Sequence, residues 1–241
     1  MSDLSQKRLL FVLTSVSQFP DSGRLTGFYM DEMAIPYWTL RDAGARIDFA
    51  SIKGGEAPID PNSLGEDGNR VEEVQRFLDD SETMVAMNGA SAVEDVDATQ
   101  YDGVFLPGGH GTMWDFAQSK PLADLIGTCF DRGAVIGAVC HGPAGLVSAK
   151  QADGRPVVDG KTVNSFTNAE ENAVGLTDVV PYLLETELRN KGAIFEATLE
   201  TFNPYAVRDG NLVTGQNPAS ARPVADLMLE AFAAAHGQDA A

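Results

Sequence analysis

The chain has 241 residues, 44% of them hydrophobic, which is enough to bury a substantial core as one large α/β domain. Its 35 acidic and 17 basic residues leave a formal charge of -18, a field that repels nucleic acid and anionic membrane surfaces and argues against both as partners. Only two cysteines are present, Cys129 and Cys140, so no disulfide framework is expected; with no signal-peptide pattern at the start and no membrane-length apolar run, a reducing cytoplasmic setting follows.

Residues 9–14 (LLFVLT) read as a first buried strand and 47–51 (IDFAS) as a second. Between them a helical pattern covers 26–43 and stops at Gly44, with a kink or restart expected at Pro36; the spacing suits a right-handed βαβ unit. From 54 to 100 the pattern loosens into prolines, glycines and acids around one amphipathic piece at 71–78, which reads as an insertion beside the sheet that caps the site. Residues 104–106 form a third strand, followed by a glycine-rich turn and a helix over 117–132 that Gly133 closes and in which Cys129 is a packed core thiol. The run 134–139 is a fourth strand leading into Cys140 and then a helix of small residues, with an exposed turn at 153–156. A strand at 162–166, a helix at 178–191, a hairpin over 206–214 turning at Asp209-Gly210 and a closing helix at 221–235 complete the series; residues 237–241 are expected to fray.

Three segments carry chemistry, and all are expected at the carboxyl ends of neighbouring parallel strands, where open α/β sheets hold their ligands. Cys140 sits where a continuously apolar run turns into His141-Gly142-Pro143-Ala144-Gly145. Unpaired N–H groups at a following helix N-terminus favour negative charge, so a lowered thiol pKa and a nucleophilic role are expected, against the bland alternative of a packed thiol. His141 serves as base only if the fold turns it toward the sulfur. In Pro107-Gly108-Gly109-His110-Gly111-Thr112 the glycines let backbone approach a ligand, and the amides of Gly109 and His141 are a candidate oxyanion hole. Gly108 and His110 are candidate pocket residues, although His110 serves equally well as a hydrogen-bonding member of its own loop. Glu32 shares a helix face with Phe28, Tyr29 and Pro36, which favours a partly buried, protonated carboxyl able to share its proton with a thiolate; a local pairing role is the alternative. No Cys-x-x-Cys or similar metal-ligand spacing occurs, so no metal or other cofactor is expected.

These motifs, together with Thr26-Gly27, Pro36-Tyr37, Lys53-Gly54-Gly55, Pro58-Ile59-Asp60-Pro61 and Thr214-Gly215-Gln216-Asn217-Pro218-Ala219-Ser220, resemble the ThiJ/PfpI superfamily over nearly the whole chain. The similarity is to the branch of heat-shock-induced chaperones and glutathione-independent glyoxalases (glyoxalase III), within the wider class I glutamine-amidotransferase-like group. The resemblance implies a flavodoxin-like sandwich, a mostly parallel sheet with helices on both faces, commonly assembled as a homodimer. It implies a triad of Cys140, His141 and an acidic residue, with Glu32 against the thiol. Of the adjacent candidates Glu170 and Glu171, alignment of Phe166-Thr167 and Gly175 with the family pattern selects Glu171, with Glu170 as the alternative; the one that does not orient His141, Glu170 on this selection, is expected to be a solvated loop charge. The implied activity is cofactor-free conversion of methylglyoxal and related small 2-oxoaldehydes to 2-hydroxy acids; an amidase or peptidase-like hydrolase, a deglycase and a holdase chaperone are the alternatives found in the same superfamily.

Overall fold

A computed structural model describes residues 3–65 and 70–239. At its centre lies a seven-stranded sheet built from β1 (Arg8–Leu13), β2 (Arg46–Ser51), β3 (Ser91–Ala92), β4 (Gly103–Leu106), β5 (Val135–Val139), β8 (Ala206–Asp209) and β9 (Leu212–Gly215), in the order β3-β2-β1-β4-β5-β9-β8. Every pairing is parallel except the β8–β9 hairpin. The central strands are apolar on both faces because both are covered. Leu10 and Val12 point into one core with Val104, Ile136 and Ala138, while Leu9, Phe11 and Leu13 point into the other with Phe105 and Val139, the period of two that a strand imposes. The helices α1 (Met30–Asp42) and α8 (Ala221–Asp239) lie together on one side, and α5 (Lys120–Asp131) covers the other. This is the flavodoxin-like sandwich the motifs implied.

Strand order reverses between β1 and β4, since the chain steps from β1 to β2 in one direction and from β4 to β5 in the other. That reversal opens a crevice at the strands' carboxyl ends, so the loops after β1, β4 and β5 meet there.

Tertiary packing moved several expected boundaries. Helix α1 begins at Met30, because residues 26–29 are extended: the Phe28 N–H donates to the Pro58 carbonyl (2.9 Å), and the Tyr29 N–H to the Gly108 carbonyl (3.1 Å). It then runs unbroken through Pro36, which is buried with Met33, Tyr37 and Leu40; packing on both sides outweighs the one lost backbone donor. The expected helix 117–132 is the shorter α5, started by the Ser119 hydroxyl accepting from the Leu122 N–H, and a separate one-turn helix α4 (Thr112–Asp115) precedes it. After Cys140 there is a five-residue 3-10 turn, Gly142–Leu146, in place of the expected helix. The strand at 162–166 shrinks to β6 (Thr162–Val163), paired with β7 (Ile194–Phe195) in a separate small sheet. The helix expected at 178–191 is the shorter α7 (Leu184–Asn190), and α6 (Asn168–Ala173) precedes it. The hairpin forms as read, with its turn one residue later at Gly210-Asn211, and α8 continues to Asp239; the expected fraying concerns residues 240 and 241 otherwise, which lie outside the described residues.

Among the described residues of the 54–100 segment, Asp60 and Asn62 line the crevice. Further along, α2 (Glu72–Asp79) packs on α1, α3 (Ser81–Asn88) packs on β2, and β3 extends the sheet. Among the described residues, no helix is long and apolar enough to cross a membrane.

Candidate active site

Cys140 follows the last residue of β5 and has a φ of 59°, in the left-handed region that costs an L side chain about 1–2 kcal/mol. Two backbone bonds hold it there: its N–H donates to the Gly215 carbonyl (2.9 Å), and its carbonyl accepts from the Phe166 N–H (2.8 Å). The reversal directs the side chain into a cleft of about 280 Å³, and it lets two consecutive residues meet: Cys140 Sγ lies 3.3 Å from His141 Nδ1.

His141 Nε2 is 2.8 Å from Glu171 Oε2, and His110 Nε2 is 2.9 Å from Glu171 Oε1. Glu171 therefore bridges two imidazoles, whose rings lie 4.1 Å apart. Burial pushes the Glu171 carboxyl up, yet the hydrogen bonds from His110 and His141 outweigh it and hold the group at about 2. An ionised carboxylate only accepts, so both Nε2 atoms carry hydrogen. Burial, reinforced by the neighbouring His110, lowers His141 to about 4, so at neutral pH its imidazole is uncharged and Nδ1 presents a bare lone pair to the thiol. That is the tautomer a general base needs. It also settles the geometry of His110, which joins this network from the loop after β4 and lines the cleft.

Glu32 is completely buried. Its Oε2 accepts from the Gly108 N–H (2.7 Å), Oε1 has no hydrogen-bond partner among the described residues, and the carboxyl as a whole interacts with the Cys140 thiol. Burial raises Glu32 to about 8, more than the bonds from Cys140 and Gly108 bring it down, so it carries a proton at neutral pH. For Cys140 the expectation of a lowered pKa is overturned. Burial drives its thiol well above the ordinary value and the adjacent Glu32 adds to this, while the opposing His141 amide is the lesser influence. The short 3-10 turn after it supplies no long helix to offset complete desolvation.

Gly108 and Gly109 are required by close approach. A Cβ on Gly108 would stand 2.6 Å from both Glu32 Oε2 and the His141 nitrogen, and one on Gly109, whose φ is 97°, would stand 2.3 Å from the Gly27 carbonyl. Among the described residues, no backbone carbonyl accepts from the Gly109 or His141 amide.

Glu170 is not the solvated charge expected of it. It caps α6, where Oε2 accepts from the Thr167 N–H and hydroxyl, and Oε1 accepts from the Phe202 N–H, Gln216 Nε2 and Asn217 Nδ2 at 2.8 to 2.9 Å. Adjacent helical positions differ by about 100°, which sends Glu171 to the histidines and Glu170 into this buried knot. The knot holds Phe202, a bulky residue at φ 65° that lines the cleft and packs against Phe166, itself 4.5 Å from the His141 ring. Sequence reasoning missed Phe202, and no local signal marks it; Phe166 was visible only as part of a motif.

Among the described residues, one group brings three potential metal-ligand atoms within 4.8 Å of one another: His110, His141 and Glu171. The Nε2 atoms of both histidines are engaged in hydrogen bonds to the carboxylate.

The chain is 32% identical over 238 residues to the glutathione-independent glyoxalase HSP31 of Saccharomyces cerevisiae, covering 95% of this chain and 99% of that protein. Its structure resembles the crystal structure of glyoxalase III from Candida albicans, with a TM-score of 0.87, 31% identity, and coverage of 94% of this chain and 98% of the other. It is likewise similar to the Francisella tularensis rapid encystment protein of 24 kDa, with a TM-score of 0.88, 36% identity, and coverage of 93% and 98%. The family model for DJ-1/PfpI matches residues 26–231, and with a cysteine elbow, an adjacent histidine and a buried glutamate all within that span, this chain belongs to the DJ-1/PfpI family.

Proposed function

We propose that the protein is a glutathione-independent glyoxalase that converts methylglyoxal and related 2-oxoaldehydes to 2-hydroxy acids, with Cys140, His141, Glu171 and Glu32 as its machinery. The observation that carries this reading is the hydrogen-bonded line from Cys140 Sγ through His141 to Glu171, beside a protonated Glu32, in a cleft of small-molecule size. The similarity to proteins named as glyoxalases over nearly the full chain supports the substrate class.

Because the resting sulfur is a thiol, attack and deprotonation go together. The S–H proton passes to His141 Nδ1 as the sulfur bonds to the aldehyde carbon, and the carbonyl electrons move onto oxygen, where the Gly109 and His141 amides receive the charge. The imidazolium, stabilised by Glu171, protonates that oxygen to give a hemithioacetal. His141 then removes the proton from the former aldehyde carbon and delivers it to the ketone oxygen, forming an enediol; the proton given up by the first hydroxyl as its oxygen becomes the thioester carbonyl is passed by His141 to the neighbouring carbon. The product is a thioester of the 2-hydroxy acid, which water hydrolyses to free acid and thiol. Glu32 donates to the sulfur while negative charge builds on it. No external oxidant or reductant enters, since the aldehyde is oxidised as the ketone is reduced.

A peptide substrate calls for an open groove, whereas this cleft is walled by Phe166 and Phe202, which favours the aldehyde over amide hydrolysis. The proposal also includes the homodimer, the cytoplasmic setting and the absence of nucleic-acid and membrane partners that the acidic charge and the resemblance favour. Purified protein incubated with methylglyoxal without glutathione should form lactate, and Cys140→Ala should abolish it. Full activity in that variant would overturn the mechanism.

A further inference from the structure

Between β1 and α1 the chain makes a small hairpin that the reaction described above does not use. Gln18 and Leu25 form an antiparallel bridge, the Phe19 N–H donates to the Arg24 carbonyl (2.8 Å), the Gly23 N–H donates to the Phe19 carbonyl (2.9 Å), and Gly23 turns the chain at φ 65°. The hairpin presents Arg24 at the cleft with its guanidinium 5.4 Å over the Phe19 ring. From there a ladder of rings leads inward: Phe19 lies 5.8 Å from His110, His110 lies 4.1 Å from His141, and Cys140 Sγ lies beside the latter.

Arg24 is the one lysine or arginine among the described residues lining the cleft, in a chain whose formal charge is -18. Arg8, Arg76, Arg155, Arg189 and Arg222 each pair with an acid, whereas among the described residues no carboxylate lies within ion-pair distance of Arg24. Asp60, which lines the cleft, and Glu171, which holds the two histidines that line it, are both occupied elsewhere. Asp60 accepts from the Thr26 hydroxyl and from the Asn62 N–H and amide, and Glu171 accepts from two histidines. An unpaired cation is thus mounted on a fixed hairpin at the outer end of a ring ladder whose inner end is the thiol. Methylglyoxal carries no anionic group with which a guanidinium could form an ion pair.

We infer that Arg24 sets the substrate class of the site: 2-oxoaldehydes that carry an anionic group, carboxylate or phosphate, at the end remote from the aldehyde. This rests on the glyoxalase reading. With 4,5-dioxopentanoate the balance is that of methylglyoxal: the aldehyde carbon becomes a carboxyl, the ketone becomes a hydroxyl, one water is consumed, and 2-hydroxyglutarate is released.

The test compares three substrates on the full chain: methylglyoxal, uncharged 2-oxopentanal, and 4,5-dioxopentanoate, which matches the second in length but ends in a carboxylate. A phosphate-ended analogue, 2-oxo-3-phosphooxypropanal, run alongside shows which anion is preferred. The wild type is expected to have a KM for at least one anionic substrate lower than for 2-oxopentanal by at least about threefold, a preference that Arg24→Gln removes and added salt weakens. Activity of Arg24→Gln on 2-oxopentanal within twofold of wild type serves as the folding control. Equal KM for charged and uncharged substrates, or a preference unchanged in Arg24→Gln, overturns the assignment of Arg24 alone. Failure of the wild type to turn over any of the four strikes the glyoxalase reading itself.

Discussion

Glu32→Gln separates what the buried carboxyl contributes to the site from what it does to the fold. In the folded protein Glu32 has a pKa of about 8, against 4.5 for the ordinary carboxyl, so between those values the native state holds a proton that the unfolded state has lost. Stability must therefore fall as pH rises through that window. At 1.36 kcal/mol per unit, the loss accumulated between pH 4.5 and 7 is about 3 kcal/mol, which is large for a domain of ordinary stability. Cys140 adds nothing here, because its thiol is protonated in both states throughout the window. Glutamine stays uncharged, keeps an oxygen for the Gly108 N–H and offers an N–H to the sulfur. Urea unfolding of both proteins under reducing conditions at pH 5, 6, 7 and 8 should show the variant gaining on the wild type by about 1 kcal/mol per pH unit, levelling off near pH 8. The same variant should turn over methylglyoxal more slowly, since an amide cannot exchange the proton it donates. A stability difference that stays flat from pH 5 to pH 8 would refute the protonated-carboxyl argument.

Glu171→Gln should cut kcat by about 10² or more, because the amide no longer fixes the Nε2–H tautomer of His141. Glu171 lies below its unfolded value, so its carboxylate stabilises the fold above pH 4.5 and that contribution fades as pH falls toward 2; the variant's stability deficit in urea titrations should shrink on acidification accordingly. Gly109→Ala adds a Cβ 2.3 Å from the Gly27 carbonyl at a φ of 97°, and should lower kcat by about 10² while depressing the melting temperature. Glu170→Ala should cost about 3 kcal/mol or more in urea unfolding by orphaning buried donors on Thr167, Gln216 and Asn217, a larger loss than Glu171→Ala causes. An unfolding midpoint for Glu170→Ala close to that of wild type would remove the structural role.

What was legible in the sequence was local. Residues 9–14, 104–106 and 134–139 were readable as strands because both faces of each are covered, so their apolar runs needed no knowledge of partners, whereas in 47–51 full burial begins only at Phe49. The turn into Cys140 and the double glycine after β4 were readable for a related reason: small residues directly after a buried strand are demanded by close approach there. Helix starts were less legible, because they depend on pairings made far away, such as the Pro58 carbonyl that keeps residues 26–29 extended. The same holds for the cleft wall, where Phe202 is placed by the hydrogen bond its N–H donates to a glutamate 32 positions earlier.

The cysteine shows why a correct location did not carry a correct pKa. The sequence pattern locates the residue at a strand end with free amides beyond it, and amides alone would favour the thiolate. Burial is a property of the whole assembly, and here it leaves Cys140 only 4% exposed, with a second acid against it. Two acids in one dry site cannot both ionise, so the pair keeps its protons until something takes one away. His141 is placed to do so only because the left-handed turn at Cys140 folds its neighbour back onto it, and only because Glu171 has already committed the far nitrogen. On this argument reactivity comes from a poised base, not from a standing thiolate. Alkylation of Cys140 by iodoacetamide should accordingly slow in Glu171→Gln, which disables the base while leaving Glu32 and the burial of the sulfur in place, and an unchanged alkylation rate would show that the thiolate forms without His141.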